Sequence, residues 1–377
     1  MRISNSTVLP AKLQVSPGDG DQAGVGALIA KATFRFDNAG HVEAETQAPI
    51  PLLDKDVETP LGALPADLLG RNTDRFEVML LGQAHAPKQL PTTELRVGLG
   101  VGHERREIAV FGDRAWESGE DGTRRIGHAQ PFSVMPLVYE RAFGGSVPAQ
   151  TDADSVLDLF DPINKRGLGF DAEMWASSVG VMLRAPQGYP RLGDYRRRLP
   201  NLEDPRALIQ DWSDAPEPVG WAPVYLDTAV GQLPLIRRES QRLERDRARG
   251  EDDPQRRHDE LLRTPDPDVD PDSSLNRAHP DWVIDTPPEK ALIRLENLLS
   301  DAPLLEFPLP ALRVIADYVI YGREGSRELR PQALVLLPEQ RSFYLVYRLI
   351  FTFENGPASE RSFRLRTEEG WFQPERE

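Results

Sequence analysis

Six histidines carry the only imidazoles of the chain: His41, His85, His103, His128, His258 and His279. None opens an HExxH pair and no two stand three or four positions apart, so the spacing offers no imidazole metal site. The alternating Asp266, Asp268, Asp270 and Asp272 resemble the first half of a calcium loop. Such a loop takes Gly at its sixth position and Glu at its twelfth. Counted from Asp266 these positions are Pro271 and Arg277, and from Asp268 they are Ser273 and His279. The run therefore reads as a solvated acidic linker. Gly98, Gly100 and Gly102 alternate ahead of His103, but the pattern lacks a third motif glycine and a following helix, and GxxxxGK[ST] is absent. There is no GxSxG elbow, no SxxK with its companion motifs and no cysteine. Sixty acidic residues leave a hydrolase working on carbohydrate or peptide through a carboxylate pair as an alternative, with no pair singled out.

Composition limits the elements that would hold any such group. The 377-residue chain has a net charge of −15, from 60 acidic and 45 basic side chains. A surface this acidic repels phosphate backbones, so nucleic acid is not an expected partner. With 39 % hydrophobic and 28 % charged residues the chain reads as an ordinary globular protein. No apolar run nears the ~20 residues of a membrane span. The opening MRISNSTVLPAKLQV has no apolar h-region and no small-residue cleavage site, so Sec export is not expected. Absent cysteine removes disulfides and thiolate metal sites and fits a cytoplasmic location. No cofactor or metal is expected. The 34 prolines and 29 glycines predict many turns and few long helices.

Strand signals recur at short spacing. Ala27–Phe36 alternates from Lys31 onward, with His41–Thr46 as a hairpin partner, and a turn cluster sits at 17–20. Arg75–Gln83, Glu94–Val101 and Arg105–Phe111 follow. The alternating glycines 98, 100 and 102 suggest a bulge or a close backbone approach. Ala153–Phe160 and Pro205–Trp212 are predicted as short helices, the second with Pro at its first position. Residues 236–263 are crowded with Arg and acidic side chains, and 264–273 with Asp and Pro. The C-terminal third returns to strands at Ala291–Leu298, Leu304–Leu309, Arg313–Tyr321, Ala333–Leu337, Phe343–Phe353 and Ser362–Arg366. In Phe343–Phe353 the parity of Phe343, Leu345, Tyr347, Leu349, Phe351 and Phe353 is expected to be buried. The fold class is mainly β, a β-rich α+β arrangement of packed antiparallel sheets, sandwich- or barrel-like, with short helical insertions. Three regions are expected: a β-rich 1–235, a charged insertion or linker 236–275, and a β-rich 276–377 packed on the first as one body.

Four segments hold residues that are costly without a role. Gln130–Gly145 (QPFSVMPLVYERAFGG) frames an extended piece between Pro131 and Pro136. It surrounds Glu140 and Arg141 with Phe132, Met135, Leu137, Tyr139 and Phe143, and ends in Gly144-Gly145. At least one of Glu140 and Arg141 needs a partner if buried. The paired glycines permit close backbone approach. In Asp161–Phe170 (DPINKRGLGF), Asn164, Gly167 and Gly169 read as a turn fixed by a side-chain amide. Val110–Trp116 (VFGDRAW) and Leu199–Pro205 (LPNLEDP) flank them. Bottom-up, these segments pin loops over a sheet.

Together these segments resemble a bacterial domain-of-unknown-function family encoded beside type VI secretion spike genes. Its elements G-x-R-x-W, P-F-x-x-M-P-L-x-Y-E-x-A-F-G-G, N-P-x-G-x-G-F and L-P-N-x-E occur here in the same order. The resemblance is close over about residues 100–205 and looser over 291–354. In the third element the glycine is displaced, as Ile163-Asn164-Lys165-Arg166-Gly167. A later G-T-Y-D-x-x-W element is reduced to Trp221, Asp227 and 276–280. Carried onto this chain, the motifs single out Gly112, Arg114, Trp116, Pro131, Phe132, Met135, Pro136, Tyr139, Glu140, Arg141, Phe143, Gly144, Gly145, Asn164, Gly167, Gly169, Phe170, Pro200, Asn201 and Glu203 as interaction candidates.

The resemblance implies a non-enzymatic chaperone or adaptor. Its partners would be a secreted toxic effector, or the PAAR-like tip domain that effector carries, for loading on a VgrG-type spike. Charge of −15 would steer a basic partner. A structural component of the secreted particle is a further alternative.

Overall fold

The computed structural model describes residues 2–16, 23–67, 75–120, 123–150, 156–173, 182–233, 237, 277–320, 322–353, 361–368 and 372. The expected turn at 17–20 and all of the 236–275 region except Arg237 lie outside the described residues. Strands dominate, as expected.

The chain opens with β1 (Arg2–Asn5), β2 (Ala11–Ser16) and the long β3 (Gly24–Phe36). Asp37 turns β3 back by accepting the amides of Ala39 and His41 through one carboxylate oxygen, and β4 (Val42–Ala44) returns beside it. A small hairpin, β5 (Val57–Thr59) and β6 (Gly62–Leu64), precedes β7 (Arg75–Leu80) and β8 (Gln83–His85). β9 (Glu94–Val101) and β10 (Glu104–Phe111) form a tight hairpin. The middle is built of short pieces: β11 (Trp116–Ser118), β12 (Arg124–Ile126), β13 (Val134–Pro136), β14 (Phe143–Gly144), β15 (Ser146–Gln150), β16 (Val156–Phe160), β17 (Leu168–Gly169), a helix Leu192–Arg197, and β18 (Leu202–Glu203). Then come β19 (Val283–Asp285), β20 (Leu292–Glu296), β21 (Leu304–Pro308), β22 (Val314–Ile320), β23 (Arg323–Leu337), β24 (Ser342–Phe353) and β25 (Arg361–Thr367).

Two sheets carry the body. The larger runs β1-β25-β22-β23-β24-β3-β2, with β7 on β23, β19 on β7 and β4 on β3. Its end strands β1 and β2 are joined through residues 6–10, which brings the sheet close to a closed barrel. The smaller sheet is antiparallel, β18-β10-β9-β20-β21. Phe307 on β21 docks it on the larger one, 4.5 Å from the Phe36 ring and 5.5 Å from that of Phe343. Phe34 stacks on Phe343 at 5.2 Å. Offset ring pairs of this kind add about 0.5–1.5 kcal/mol each beyond the area they bury. Both sheets combine strands from before and after the 236–275 region, since β24 pairs with β3 and β20 with β9. The alternating glycines of β9 sit in a regular ladder, where Gly98 faces Glu296 and Gly100 faces Arg294.

Three local expectations are corrected. Both parities of β24 are buried over Phe343–Tyr347, because residues 45–67 lie across its second face. On that face Lys31 is fully buried, 2.6 Å from the Asp67 carboxylate, 3.0 Å from the Pro51 carbonyl and 4.5 Å above the Tyr344 ring. Burial pulls the Lys31 pKa down against the pull of Asp67. Of the expected helix Ala153–Phe160, residues 153–155 lie outside the described residues, and Val156–Phe160 forms β16 because it finds a ladder on β15. Pro205–Trp212 forms turns instead of a helix. Glu203 takes the amide of Ile209, and Asp214 takes those of Gln210 and Asp211, so the donors a helix needs are diverted.

Candidate functional site

The four signature segments meet beyond the end of the β9–β10 hairpin. β10 pairs with β18 through Ala109–Glu203 and Val110–Leu202, and the Phe111 amide donates to Asn201 O at 2.8 Å. Asn201 is the first hub. Its side-chain amide donates to Phe111 O and to Asp113 Oδ1, both at 3.0 Å, and its Oδ1 accepts from Arg141 Nη1 at 2.9 Å. Its own amide donates to Arg141 O. Arg114 pairs with Glu203 and lies 3.7 Å over the Phe111 ring. The other Glu203 oxygen accepts the Ile209 amide at 2.8 Å. Burial raises the Glu203 carboxyl, opposed by the Arg114 guanidinium. At Gly112 the chain runs so close to the Gln130 carbonyl that no Cβ fits. Pro200, beside Asn201, is buried.

Asn164 is the second hub and is fully buried. Its Nδ2 donates to the carbonyls of Tyr139 and Phe143, each at 2.9 Å. Asp161 holds it by accepting the amides of Ile163 and Asn164. Gly145 donates its amide to Asn164 O at 2.8 Å. Gly144 and Gly145 have φ of +131° and +123°, and a Cβ on Gly144 would collide with the Asn164 carbonyl. Only glycine meets both demands. β14 and β17 then pair in parallel, Phe143 with Leu168 and Gly144 with Gly169. Gly167 lies against Asn164 and the Ala142 carbonyl. Phe170 donates its amide to Gly144 O and packs with Val147, Ala172 and Leu192. The Gly169 carbonyl accepts from Arg196 Nη1 at 2.9 Å.

The remaining signature residues serve packing. Phe132 and Met135 are core residues on the β13 side, where β13 pairs with β8 and Phe132 bridges Thr92. Pro136 lies within β13, while Pro131 is exposed. Tyr139 is buried against Gly220, and burial pushes its hydroxyl pKa up. Trp116 meets Trp212 edge-on at 5.6 Å. Glu140 and Arg141 are half-buried. Arg141 has its partners in Asn201 and Asp113, and Glu140 lies 3.8 Å from Arg166. Arg166 in turn stacks 3.7 Å over Tyr225 and pairs with Asp227 at 3.2 Å. The structure thus distributes the signature over two adjoining knots rather than around one cavity.

Other charged groups escaped the sequence reading. Arg196 binds the carbonyls of Gly169 and Asp214, between the rings of Phe143 and Trp212. Arg277 grips Asp56 with both terminal nitrogens, at 2.9 and 2.8 Å. Glu77 accepts the amides of Arg277 and Ala278 at 2.6 and 3.0 Å. A usable signal was a lone charge inside an apolar strand, as with Lys31 in β3 and Arg348 in β24. Among the described residues no group of three or more His, Asp or Glu side chains is placed to hold a metal ion. Among them also, no helix is long and apolar enough to cross a membrane.

The family model described as "Uncharacterized protein conserved in bacteria (DUF2169)" matches residues 21–348. The chain belongs to this family. In this DUF2169 member the match covers both knots, the smaller sheet and the larger sheet apart from β1, β2, β25 and the end of β24. No curated protein and no solved structure matches the chain.

Proposed function

We propose that this protein is a chaperone or adaptor of the type VI secretion system. It would hold a secreted effector, or the PAAR-like tip domain that the effector carries, and aid its loading on a VgrG-type spike. One observation supports a scaffold role: the polar signature side chains are engaged with the chain's own backbone and with one another. Asn164, Asn201 and Arg141 are bonded to loop carbonyls or neighbouring side chains, and Glu203 is shared between Arg114 and a backbone amide. Such groups shape a rigid surface on which another polypeptide can rest. The hydrolase alternative needs Asp113, Glu140, Arg141 and Asn164 to converge on a substrate, and three of the four are held in these bonds. The secretion assignment itself rests on the resemblance of the motifs.

The test is an affinity capture of the tagged protein from its native bacterium, read with gene order, beside a clean deletion. Co-purification of the product of a neighbouring effector or spike gene is expected, together with lost effector delivery in the deletion strain. Normal delivery and normal effector levels in that strain would defeat the proposal.

A further inference from the structure

The second knot also fixes a strand edge. β15 begins next to Gly145 and β16 ends next to Asp161. The Asp161 amide donates to Gly145 O at 2.9 Å, and its carboxylate accepts the amide of Asn164. The knot thus grips the hairpin at its base. Val147, Ala149 and Leu159 pack one hairpin face on Phe170, Ala172 and Leu192. Gln150 turns its amide and carbonyl to Arg184, at 2.8 and 3.0 Å, on the far side of β15. By the alternation of an antiparallel ladder, the bonds to β16 then fall at Ala149–Leu157 and Val147–Leu159. The amides and carbonyls of Val156, Asp158 and Phe160 therefore point away from β15. Among the described strands β16 pairs with β15 alone, so these groups form an open edge, and main-chain groups on such an edge recruit a further strand.

The side chains of these three residues share the outer hairpin face, opposite Leu159. Val156 is 58 % and Phe160 50 % exposed, which is unusual for apolar groups in a strand. Asp158 is exposed between them and makes no ion pair among the described residues. The edge therefore presents an apolar, an acidic and an apolar side chain in line. Its complement is a strand with a basic residue between two apolar ones. A second copy laid antiparallel about Asp158 would set Asp158 against Asp158, a pairing that like charges disfavour. The net charge of −15 likewise repels a copy and draws a basic partner.

We propose that the β16 edge binds an extended basic segment of a protein partner by strand addition, a Lys or Arg of that segment meeting Asp158 and its apolar neighbours covering Val156 and Phe160. This deepens the adaptor reading and rests on it for the partner's being a protein. Backbone bonds supply affinity and alternate side chains the selectivity. The signature glycines and Asn164 then act at a distance from the partner, by holding the hairpin that meets it.

The test uses the full-length protein and a defined probe. A fluorescein-labelled nine-residue peptide, in which Thr alternates with Val, Lys, Val and Lys, is titrated by anisotropy beside its counterpart with Glu for Lys. The Lys peptide is expected to bind, more weakly as salt rises, and the Glu peptide not to bind. Asp158→Lys should weaken Lys-peptide binding at least tenfold and admit the Glu peptide. Val156→Pro removes an edge amide that the ladder to β15 does not use. It should weaken Lys-peptide binding at least threefold, which a contact through charge alone would not show. Both positions are exposed, and a matching thermal melt confirms that each variant is folded. Equal binding of the two peptides, a preference unchanged by Asp158→Lys, binding unchanged by Val156→Pro, or no binding overturns the proposal. So does a concentration-dependent dimer abolished by Val156→Pro, which would make a second copy the occupant. If the native partner still co-purifies with the Asp158→Lys protein at wild-type yield, the edge assignment fails while the adaptor reading stands.

Discussion

Asn164 shows how one side chain can set the course of a whole loop. Its amide closes on two interior carbonyls, those of Tyr139 and Phe143, and no other side-chain donor reaches them among the described residues. Replacing it with Ala takes the side-chain donor from both carbonyls; Tyr139 O keeps the Ala142 amide at 3.2 Å, so the Phe143 carbonyl bears the loss, and a buried unsatisfied group costs about 1–3 kcal/mol. Asn164→Ala should therefore lose about 1–3 kcal/mol in a urea titration, and a loss below about 0.5 kcal/mol would mean that the loop holds its shape without the amide. Glu77 gives a pH signature. Burial holds its carboxyl above the ordinary 4.5, against the amides of Ala278 and Arg277. Between 4.5 and the raised value the native state binds more protons than the unfolded chain, so this group's stabilisation is complete at low pH and falls as pH rises. Glu77→Gln keeps an acceptor for the two amides and removes the titration. The stability of the wild type minus that of Glu77→Gln should decline from pH 4 to pH 8, and a flat difference would contradict the assignment.

At the scale of elements, the stretches on either side of residues 238–276 are anchored independently of it. Arg237 binds Glu217 at 2.6 Å and Asp281 at 3.1 Å. Arg277 binds Asp56, and its carbonyl accepts the Val224 amide at 2.6 Å. Loop-closure entropy changes slowly with length, so a shorter connection between fixed ends is tolerated. Replacing residues 238–276 with about ten Gly and Ser residues should shift the thermal midpoint by less than about 3 °C, a change of about 2 kcal/mol at this size. A collapse of the cooperative melt would show that the segment itself carries part of the core. The neighbouring Pro205–Trp212 teaches the same lesson in reverse, since capture of its amides by Glu203 and Asp214 decides its shape over any helical tendency.

In the whole molecule, neither sheet is complete without both ends of the chain. β24 pairs with β3 from Ser342–Arg35 to Phe353–Gly24, and β20 pairs with β9. The aromatic contact that joins the sheets likewise takes Phe36 from one end and Phe307 and Phe343 from the other. Residues 1–237 produced alone should show no cooperative unfolding, because β3 and β9 would expose apolar edges and faces. Co-expression with residues 277–377 should restore a soluble one-to-one complex with a single melt. A folded, monomeric 1–237 fragment would overturn this account of the core.

Local pattern alone located the long strands, among them β9 at Glu94–Val101, β3 and β24, because alternation and Gly or Pro boundaries are properties of neighbouring residues. It also singled out the segments of both knots and, within them, Glu140, Arg141, Asn164 and the paired glycines, whereas Arg114, Asn201 and Glu203 came from the resemblance of the motifs. It did not reveal the second buried face of β24, the strand identity of Val156–Phe160, or the pairings of Lys31 with Asp67 and of Glu77 with Arg277. Those depend on what covers a strand and on which distant segments come together. Glu77 and the Arg277 amide are 200 positions apart. Burial and charge pairing at that range are decided by the order of strands in the sheets, and the strand order follows from the packing of the whole chain rather than from any one stretch of it.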